Sequence, residues 1–388
     1  MEIATIDLGT SICKVQLFRE DGTEVSRYSE EMETRHPHPS WSEQNPEDWW
    51  RAVKNGFRHC LQACASEARV GAIGLCSHRE SVVPVDERGN ALHPCILWSD
   101  RRCSEEAREL YEVFGGELHQ RTGMKPDPYF TAPKILWLKR NKPEVVGRSH
   151  KFLLPKDYLV WRLTGQFSTD WSVASRTMLL DIRKRAWWEE LVRYVGIDPD
   201  QLCEPRRSDA VVGETTAEAS RELGLSDGAL VVAGAGDRQC EATAAGVGEE
   251  RAMESTGSAT NVSVASHSLP SSLADNLLYS LHADGETFLV EQGIGTTGLS
   301  LRWFRDSFRP PHGQRIFEEE PYRFIDREAA GSSPGANGLI FLPFLSGAQA
   351  ARWNPGAKGI LFGLNLGHTY GDVARAIMEG IALSLLHI

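Results

Sequence analysis

The sequence predicts an α/β protein of two domains, 1–246 and 247–388, and three features lead there. Strand-like and helix-like segments are interleaved in both parts of the chain. With 388 residues, 41% hydrophobic and 24% charged, the chain is long enough for two cores. Finally, MESTGSATNVSVAS (253–266) repeats the strand, Gly/Ser/Thr turn, strand pattern of ATIDLGTSICKVQL (4–17). The repeat reads either as two related halves, each offering a phosphate-sized turn, or as two ordinary hairpins.

Taken in order, residues 3–19 alternate as strands around DLGTS, and Asp21-Gly22 then signals a hairpin. Asn45-Pro46-Glu47-Asp48 starts a helix with an Asn cap, Pro at the first helical position and acids in the first turn, running to about Ala68. Strands are expected at 70–76 and 82–86, then helices at 104–113, 133–140, 156–164, 186–195 and 216–223, separated by Gly, Pro and Asp breaks. ALVVAGAG is a short apolar strand that delivers Asp237 to the start of a small-residue helix, and Gly246 to Glu250 crosses into the second domain. A further Gly-rich turn, GIGTTGLS (293–300), leads into the helical LRWFRDSF. The apolar helix at the end stops at Ile388 without Gly, Pro or a capping residue, from which a further segment, and hence an incomplete second domain, is expected.

A net charge of −11 and a pI near 5.6, with no Lys/Arg-rich run, exclude general electrostatic binding of nucleic acid and favour a small-molecule partner. The start lacks a basic region followed by an apolar stretch and no segment can span a bilayer, so no membrane partner is expected and the chain is read as cytoplasmic. The eight cysteines (13, 60, 64, 76, 95, 103, 203 and 240) form no CxxC and read as free thiols. His36 and His38 read as a solvated loop rather than a metal cluster. The pairs Trp49/Trp50 and Trp187/Trp188 cannot share one helix face, which predicts one core and one partly exposed member. Asp100, Arg101 and Arg102 fit a structural ion-pair role as well as a contact with substrate.

Turns of Gly with Thr or Ser present backbone N–H groups and hydroxyls to anions, and DLGTS (7–11), STGSAT (255–260) and GTTG (295–298) are such turns. Each is also a common turn with no ligand. Together, with Asp7 inside the first and Asp237 after a glycine-ended strand, they suggest a nucleoside triphosphate and its magnesium ion. Neither GxxxxGK[ST] nor a helix-opening GxGxxG is present, so such a site belongs to another fold. In CSHRESVV (76–83), Arg79 and Glu80 interrupt an apolar run. Buried charges must be paired, so these two form either a structural ion pair or a polar ligand site.

IDLGTSICKV (6–15), HPSWSEQNPEDWW (38–50), ILWSDRR (96–102), DPYFTAPKILWL (127–138), LLPKDYLVWRLTG (153–165), AGAGD (233–237), FLPFLSG (341–347) and NPGAKGILFGLNLGHT (354–369) occur in the order seen in one family. On these segments the chain resembles the FGGY carbohydrate kinases, which implies the two-domain actin and Hsp70-like (ribonuclease H-like) ATPase fold with a cleft between domains. WSEQ and LLPKDYL look most like xylulokinases. In contrast, His78-Arg79-Glu80-Ser81 stands where xylulokinases carry Gln-Met-His-Gly and looks like the Gln-Arg-Glu-Thr of glycerol kinases, with which DPYF agrees.

The resemblance implies transfer of the ATP γ-phosphoryl group to a primary hydroxyl of a small polyol or sugar. Asp237 is then the catalytic base, taking the proton late in a loose transition state and so needing no large pKa shift. His78, Arg79, Glu80, Tyr129, Asp237, Arg238 and Asn261 would contact the substrate, with Arg79 and Glu80 as a fork for vicinal hydroxyls. Thr10, Ser11, Gly257, Ser258, Gly298 and Arg302 would contact the nucleotide, and Asp7 with Asp237 would hold hydrated Mg2+. Glycerol kinases carry Gln and Phe where this chain has Arg238 and Asn261, which implies a longer or more polar substrate, such as a four- or five-carbon polyol, a ketose or a sugar acid. Family members are often dimers, so a homodimer is the implied assembly. A kinase-like sugar-binding or regulatory protein without turnover is the alternative, should the expected adenosine-contacting segment be lacking.

Overall fold

The computed structural model describes residues 1–63, 69–226, 228–257, 259–308, 320–345, 347–348, 354 and 356–385. They fall into two units. The first comprises Met1–Gly246 with Ala265–Leu273 and Tyr279–Leu289, and the second comprises Val247–Val264 with Ala274–Leu278 and Val290–Ile388.

In the first unit, β1 (Glu2–Leu8), β2 (Ile12–Arg19) and β3 (Glu24–Glu31) form the antiparallel run expected from the turns at Gly9–Ser11 and Asp21-Gly22. Next, α1 (Pro46–Gln62) opens as its sequence requires, with the Asn45 side chain accepting the Glu47 N–H, and β4 (Val70–Ser77) then pairs parallel to β1. Further along lie α2 (Ser104–Thr122), α3 (Thr131–Asn141) and α4 (Pro155–Thr164). The chain returns to the sheet as β5 (Val211–Glu214), β6 (Leu230–Val232) and β7 (Ala235–Gly236), ahead of α5 (Asp237–Ala244). The strand order is β5-β6-β4-β1-β2-β3, and β7 resumes pairing with β4 beyond β6. Between β6 and β7, Gly234 takes φ of 71°, and a Cβ there would meet the Leu75 carbonyl oxygen at 2.1 Å, so only glycine allows the edge to resume.

Three expectations need correction here. The segment expected as a helix at 186–195 begins as a strand, Ala186–Trp187 paired with Leu180–Asp181, and becomes helical only over Glu189–Tyr194. The helix expected at 104–113 continues to Thr122, past a non-helical Gly115 at φ of 55°. Trp49 and Trp50 are also both buried, because both fall within the one broad apolar face of α1 that carries Val53, Phe57 and Cys60. Trp49 Nε1 donates to Gln44 Oε1 at 2.9 Å, while Trp50 Nε1 donates to Glu222 Oε2 at 2.5 Å under the Arg162 guanidinium. Trp188 is buried and Trp187 half-buried, as expected of that pair.

Asp100 and Arg102 take the structural role. Both side chains are fully buried and ion-paired at 2.8 Å, Arg102 also reaches Glu43 at 2.7 Å, and its guanidinium lies 3.7 Å from the Trp41 ring centroid. His36 and His38 are exposed in their loop. No helix among the described residues is long and apolar enough to cross a membrane.

The second unit opens with the hairpin of β8 (Met253–Thr256) and β9 (Thr260–Ser266), registered from Met253 opposite Ser263 to Thr256 opposite Thr260. Then come α6 (Gly298–Ser307), α7 (Pro321–Ala330), the β10 (Ile340–Leu342) and β11 (Ile360–Phe362) hairpin, and α8 (Tyr370–Leu385). Phe304, Ile325, Ala329, Leu339, Phe341, Ala374 and Ile377 make its core. Asp372 ties it together, accepting from Ser332 Oγ, Asn337 Nδ2, and both the N–H and hydroxyl of Thr369.

Lys156 of LLPKDYL centres a buried ion triad: its Nζ lies 3.0 Å from Asp157 and 3.2 Å from Asp170, all essentially without solvent. Burial opposes the ammonium charge, and the two carboxylates more than offset it, so the pKa of Lys156 lies above the ordinary lysine value. Removing the cation leaves two carboxylates facing each other in the dry interior. Lys156→Ala is therefore expected to lower unfolding stability by about 3–5 kcal/mol, measured from the urea midpoint.

Candidate active site

Strands β1, β4 and β7 run parallel and end together: Leu8 lies opposite Ser77, and Gly236 opposite Ser77 on the other side. Their carboxyl ends release the three segments that carry chemistry, the turn after Asp7, His78–Ser81, and Asp237 at the head of α5. The carboxyl edge of parallel strands is where α/β sheets place ligands.

The first unit gathers a charge cluster there. Arg79 Nε lies 3.3 Å from Asp237 Oδ1 and 3.7 Å from Glu80 Oε1, and Arg79 also donates to Gln239 Oε1 at 3.3 Å. A Cβ on Gly236 would strike the Arg79 stem at 2.6 Å, so the glycine before Asp237 makes room for that arginine. Arg79 and Glu80 therefore do pair, as one sequence reading had it, but the closest partner of Glu80 is Arg176, whose Nε donates to Oε1 at 2.6 Å. Glu80 itself adopts φ of 63°, in the left-handed region that costs a non-glycine residue about 1 kcal/mol or more. Its backbone is pinned there, for its carbonyl accepts from Thr131 Oγ1 at 3.1 Å and Lys134 Nζ at 3.3 Å.

Lys134 is buried and its ammonium also reaches the carbonyl oxygens of Pro128, Tyr129 and Phe130 at 2.6–3.0 Å. Burial lowers its pKa to about 8. One cation thus fastens the DPYF turn to the Glu80 backbone. Tyr129, half-buried, sits beside Trp98 with ring centroids 5.5 Å apart, and burial followed by the Glu80 charge raises its phenol pKa. Neither Arg176 nor Lys134 was singled out from the sequence. The signal was there in both cases, a lone cation in an apolar stretch (SVASRTMLL and APKILWL), the same anomaly that marks Arg79.

Asp237 keeps 38% of its side-chain surface exposed, the surrounding protein desolvating the rest. That desolvation raises its pKa, with Arg79 opposing it and Glu80 adding to it. Its Oδ1 also accepts the Arg238 N–H at 2.8 Å, while the Arg238 guanidinium pairs with Glu241. Asp7, on β1 opposite Cys76, pairs with Lys14 at 3.3 Å. Two strand spacings separate Asp7 from Ala235, about 10 Å between backbones. Among the described residues no group of three or more His, Cys, Asp or Glu side chains could hold a metal. Two partly exposed carboxylates nonetheless suit hydrated magnesium, which keeps waters and phosphate oxygens as its other ligands.

Thr10 and Ser11 lie in the β1–β2 turn, where the Thr10 hydroxyl accepts from Trp98 Nε1 at 2.8 Å and Ser11 is exposed. In the second unit the two Gly-rich turns join. A hydroxyl chain runs Thr256, Thr260, Thr297 with contacts of 2.8 and 2.9 Å, and the Gly298 N–H, heading α6, donates to the Gly257 carbonyl at 3.1 Å. Arg302 is largely exposed on α6, 3.8 Å from Asp306. Asn261 lies on β9 opposite Ser255, with Gly293 packed against its amide. Ser258 lies outside the described residues.

Two family models match the chain. The N-terminal domain of the FGGY family of carbohydrate kinases covers residues 3–244, and the C-terminal domain covers 253–388. The chain belongs to the FGGY family of carbohydrate kinases. A xylulose kinase of Staphylococcus epidermidis is 33% identical over 382 residues, 98% of this chain and 75% of that protein. Glycerol kinase 2 of Saccharolobus solfataricus is 31% identical over 393 residues, 98% of this chain and 75% of that protein. The crystal structure of xylulose kinase from Rhodospirillum rubrum superposes with a TM-score of 0.90 at 29% identity, covering all of this chain and 78% of that one. Members of this family are carbohydrate kinases, enzymes that phosphorylate sugars or polyols, and they use ATP, generally with magnesium. The expectation of an incomplete second domain finds no support, since the C-terminal FGGY model matches the whole of 253–388. The alternative of a binding protein without turnover, which rested on that expectation, is not favoured.

His78 is buried, its Nδ1–H donating to the Leu8 carbonyl at 3.0 Å, and its Nε2 is without a hydrogen-bond partner among the described residues. Burial lowers its pKa from 6.5 to about 4 against the Leu8 carbonyl and the Glu80 and Asp7 charges. Between those values the unfolded chain binds a proton that the fold excludes, so stability falls as pH drops from about 6.5 to about 4, by about 3 kcal/mol from this group. Urea titrations at pH 7 and pH 4.5 are expected to show a smaller difference for His78→Asn than for the parent chain.

Proposed function

We propose that this FGGY kinase transfers the γ-phosphoryl group of ATP to a primary hydroxyl of a four- or five-carbon polyol or ketose. The observation that carries the reading is the Asp237 carboxylate held 3.3 Å from Arg79, beside a Glu80 fixed by Arg176, at the carboxyl ends of three parallel strands. Asp237 accepts the acceptor's hydroxyl proton, and desolvation gives that carboxylate a higher proton affinity than a solvated one. Arg79 donates to one substrate hydroxyl and Glu80 accepts from its neighbour, with Tyr129, Arg238 and His78 bounding the acceptor.

Within the first unit Thr10 and Ser11, and within the second the Gly257 and Gly298 turns with Arg302 as a cation on α6, each offer N–H groups and hydroxyls to phosphate. Such preorganised donors supply most of the stabilisation in phosphoryl transfer. Asp7 and Asp237 would hold hydrated magnesium, which when bound neutralises charge on the phosphate oxygens. The relatives named xylulose kinase and glycerol kinase support a polyol or ketose acceptor. Arg238 and Asn261, where glycerol kinases carry Gln and Phe, favour a longer and more polar substrate than glycerol.

ADP release by the purified chain with magnesium-ATP is expected with one of erythritol, xylulose or ribulose, above glycerol and gluconate. Asp237→Asn is expected to lower kcat by about 10²–10⁴-fold with the fold intact by circular dichroism. Silence of the parent chain with every acceptor would overturn the reading. The double change Arg238→Gln with Asn261→Phe is expected to raise the kcat/KM ratio of glycerol over the preferred acceptor by about tenfold, read in the same assay. An unchanged ratio would remove those two residues from specificity.

A further inference from the structure

The WSEQ (41–44) and ILWSDRR (96–102) motifs meet at the Thr10–Ser11 turn. The two-residue strand Glu43–Gln44 pairs with Cys95–Ile96, Arg102 holds Glu43 at 2.7 Å, and Asp100 accepts the Ser42 N–H at 2.6 Å. Gln44 is thereby fixed against the turn, with only 1% of its surface exposed. Its Nε2 donates to the Thr10 carbonyl at 2.7 Å and to Thr34 Oγ1 at 3.1 Å, while its Oε1 accepts from Trp49 Nε1 at 2.9 Å. An indole N–H can only donate and a carbonyl can only accept, so the amide has one orientation and both its protons are engaged.

Thr10 and Ser11 are the central residues of a turn closed by the Gly9 N–H on the Ile12 carbonyl at 3.0 Å. In a trans peptide the C=O and N–H point in opposite directions. Gln44 draws the Thr10 carbonyl inward, so the Ser11 N–H of the same peptide points outward, on an exposed residue, and no described residue accepts it. The side chain follows the same logic: Trp98 Nε1 donates to Thr10 Oγ1 at 2.8 Å, which leaves the hydroxyl proton to be given elsewhere. One backbone donor and one hydroxyl donor are thus presented by groups packed beneath them.

We infer that Gln44 is a positioning residue for phosphoryl transfer, holding the Thr10 carbonyl so that the Ser11 N–H, and with it the Thr10 hydroxyl, is aimed at a phosphate oxygen. This role rests on the phosphate contact proposed for that turn. A donor aimed in advance needs no reorganisation as charge develops on the transferring group, whereas a peptide free to rotate must be ordered at each turnover. The bonds of Gln44 go to Thr10, Thr34 and Trp49 and not to Arg79, Glu80 or Tyr129, so its effect falls on the phosphoryl step rather than on acceptor affinity.

Gln44→Glu keeps the shape and the acceptor for Trp49 while replacing the donor to Thr10 with an oxygen. It is expected to lower kcat by about 10²-fold in the magnesium-ATP assay with acceptor KM unchanged. Calorimetric titration with magnesium and AMP-PNP, an unreactive ATP analogue, is expected to show binding weakened by about tenfold. Gln44→Met, which buries no charge, is expected to show the same two losses. Thr34→Val removes the other acceptor of the amide without touching Thr10 and is expected to keep both parent values. Parent-like kcat and AMP-PNP affinity in Gln44→Met, a loss confined to acceptor KM, or equal losses in Thr34→Val would each overturn the inference. If the parent chain phosphorylates no acceptor, it is the proposed reaction that fails, and the AMP-PNP titration alone then decides the role of Gln44.

Discussion

The site depends on one buried carboxylate. Glu80 is fully enclosed, and a lone ion there would cost several kcal/mol, so it exists only because Arg176 and Arg79 face it. Arg79 in turn divides its charge between Glu80 and Asp237, so two arginines and two carboxylates balance to zero net charge. Neutrality lets the cluster survive burial. It also orders Asp237, since the guanidinium that compensates Glu80 is the one that positions the candidate base. Disturbing any one of the four leaves an uncompensated charge on a neighbour.

That cluster needs a backbone to hold it, and the backbone is strained where it matters. The left-handed Glu80 is kept by hydrogen bonds to its own carbonyl from Thr131 and Lys134. Lys134 spends the rest of its donor capacity on three carbonyls of the DPYF turn. Burial lowers its pKa to about 8, which leaves it charged at neutral pH to donate to the carbonyl oxygens it meets. A neutral isostere would satisfy fewer of them, so a buried cation serves as the fastener where an apolar residue would pack without fixing either loop.

Much of this was legible in the sequence, and the remainder was hidden for identifiable reasons. Local signals sufficed for α1, where Asn45, Pro46 and two acids fix the start, and for Asp237 at the head of α5. They failed at 186–195, because the pairing of Ala186–Trp187 with Leu180–Asp181 is tertiary and leaves no period in the sequence. The Trp49/Trp50 expectation failed because residues about 100° apart on a helix both fit one broad buried face, while Glu47, Arg51 and Arg58 keep the other side of α1 exposed. Arg79 and Glu80 announced themselves as charges in an apolar run. What no spacing could give was Arg176, which lies 96 residues from the carboxylate it compensates.

The same geometry constrains how Asp237 can act. Desolvation raises its proton affinity and Arg79 lowers it, so the balance is set by how closely that guanidinium is engaged elsewhere. A substrate hydroxyl that draws hydrogen bonds from Arg79 weakens the opposing contribution and leaves Asp237 more basic. On the roles proposed for them, binding the acceptor through Arg79 and Glu80 would prepare the base as well as place the hydroxyl. An acceptor that did not engage Arg79 would then be met by a weaker base, so the proposed fork would act on specificity through rate as well as through affinity.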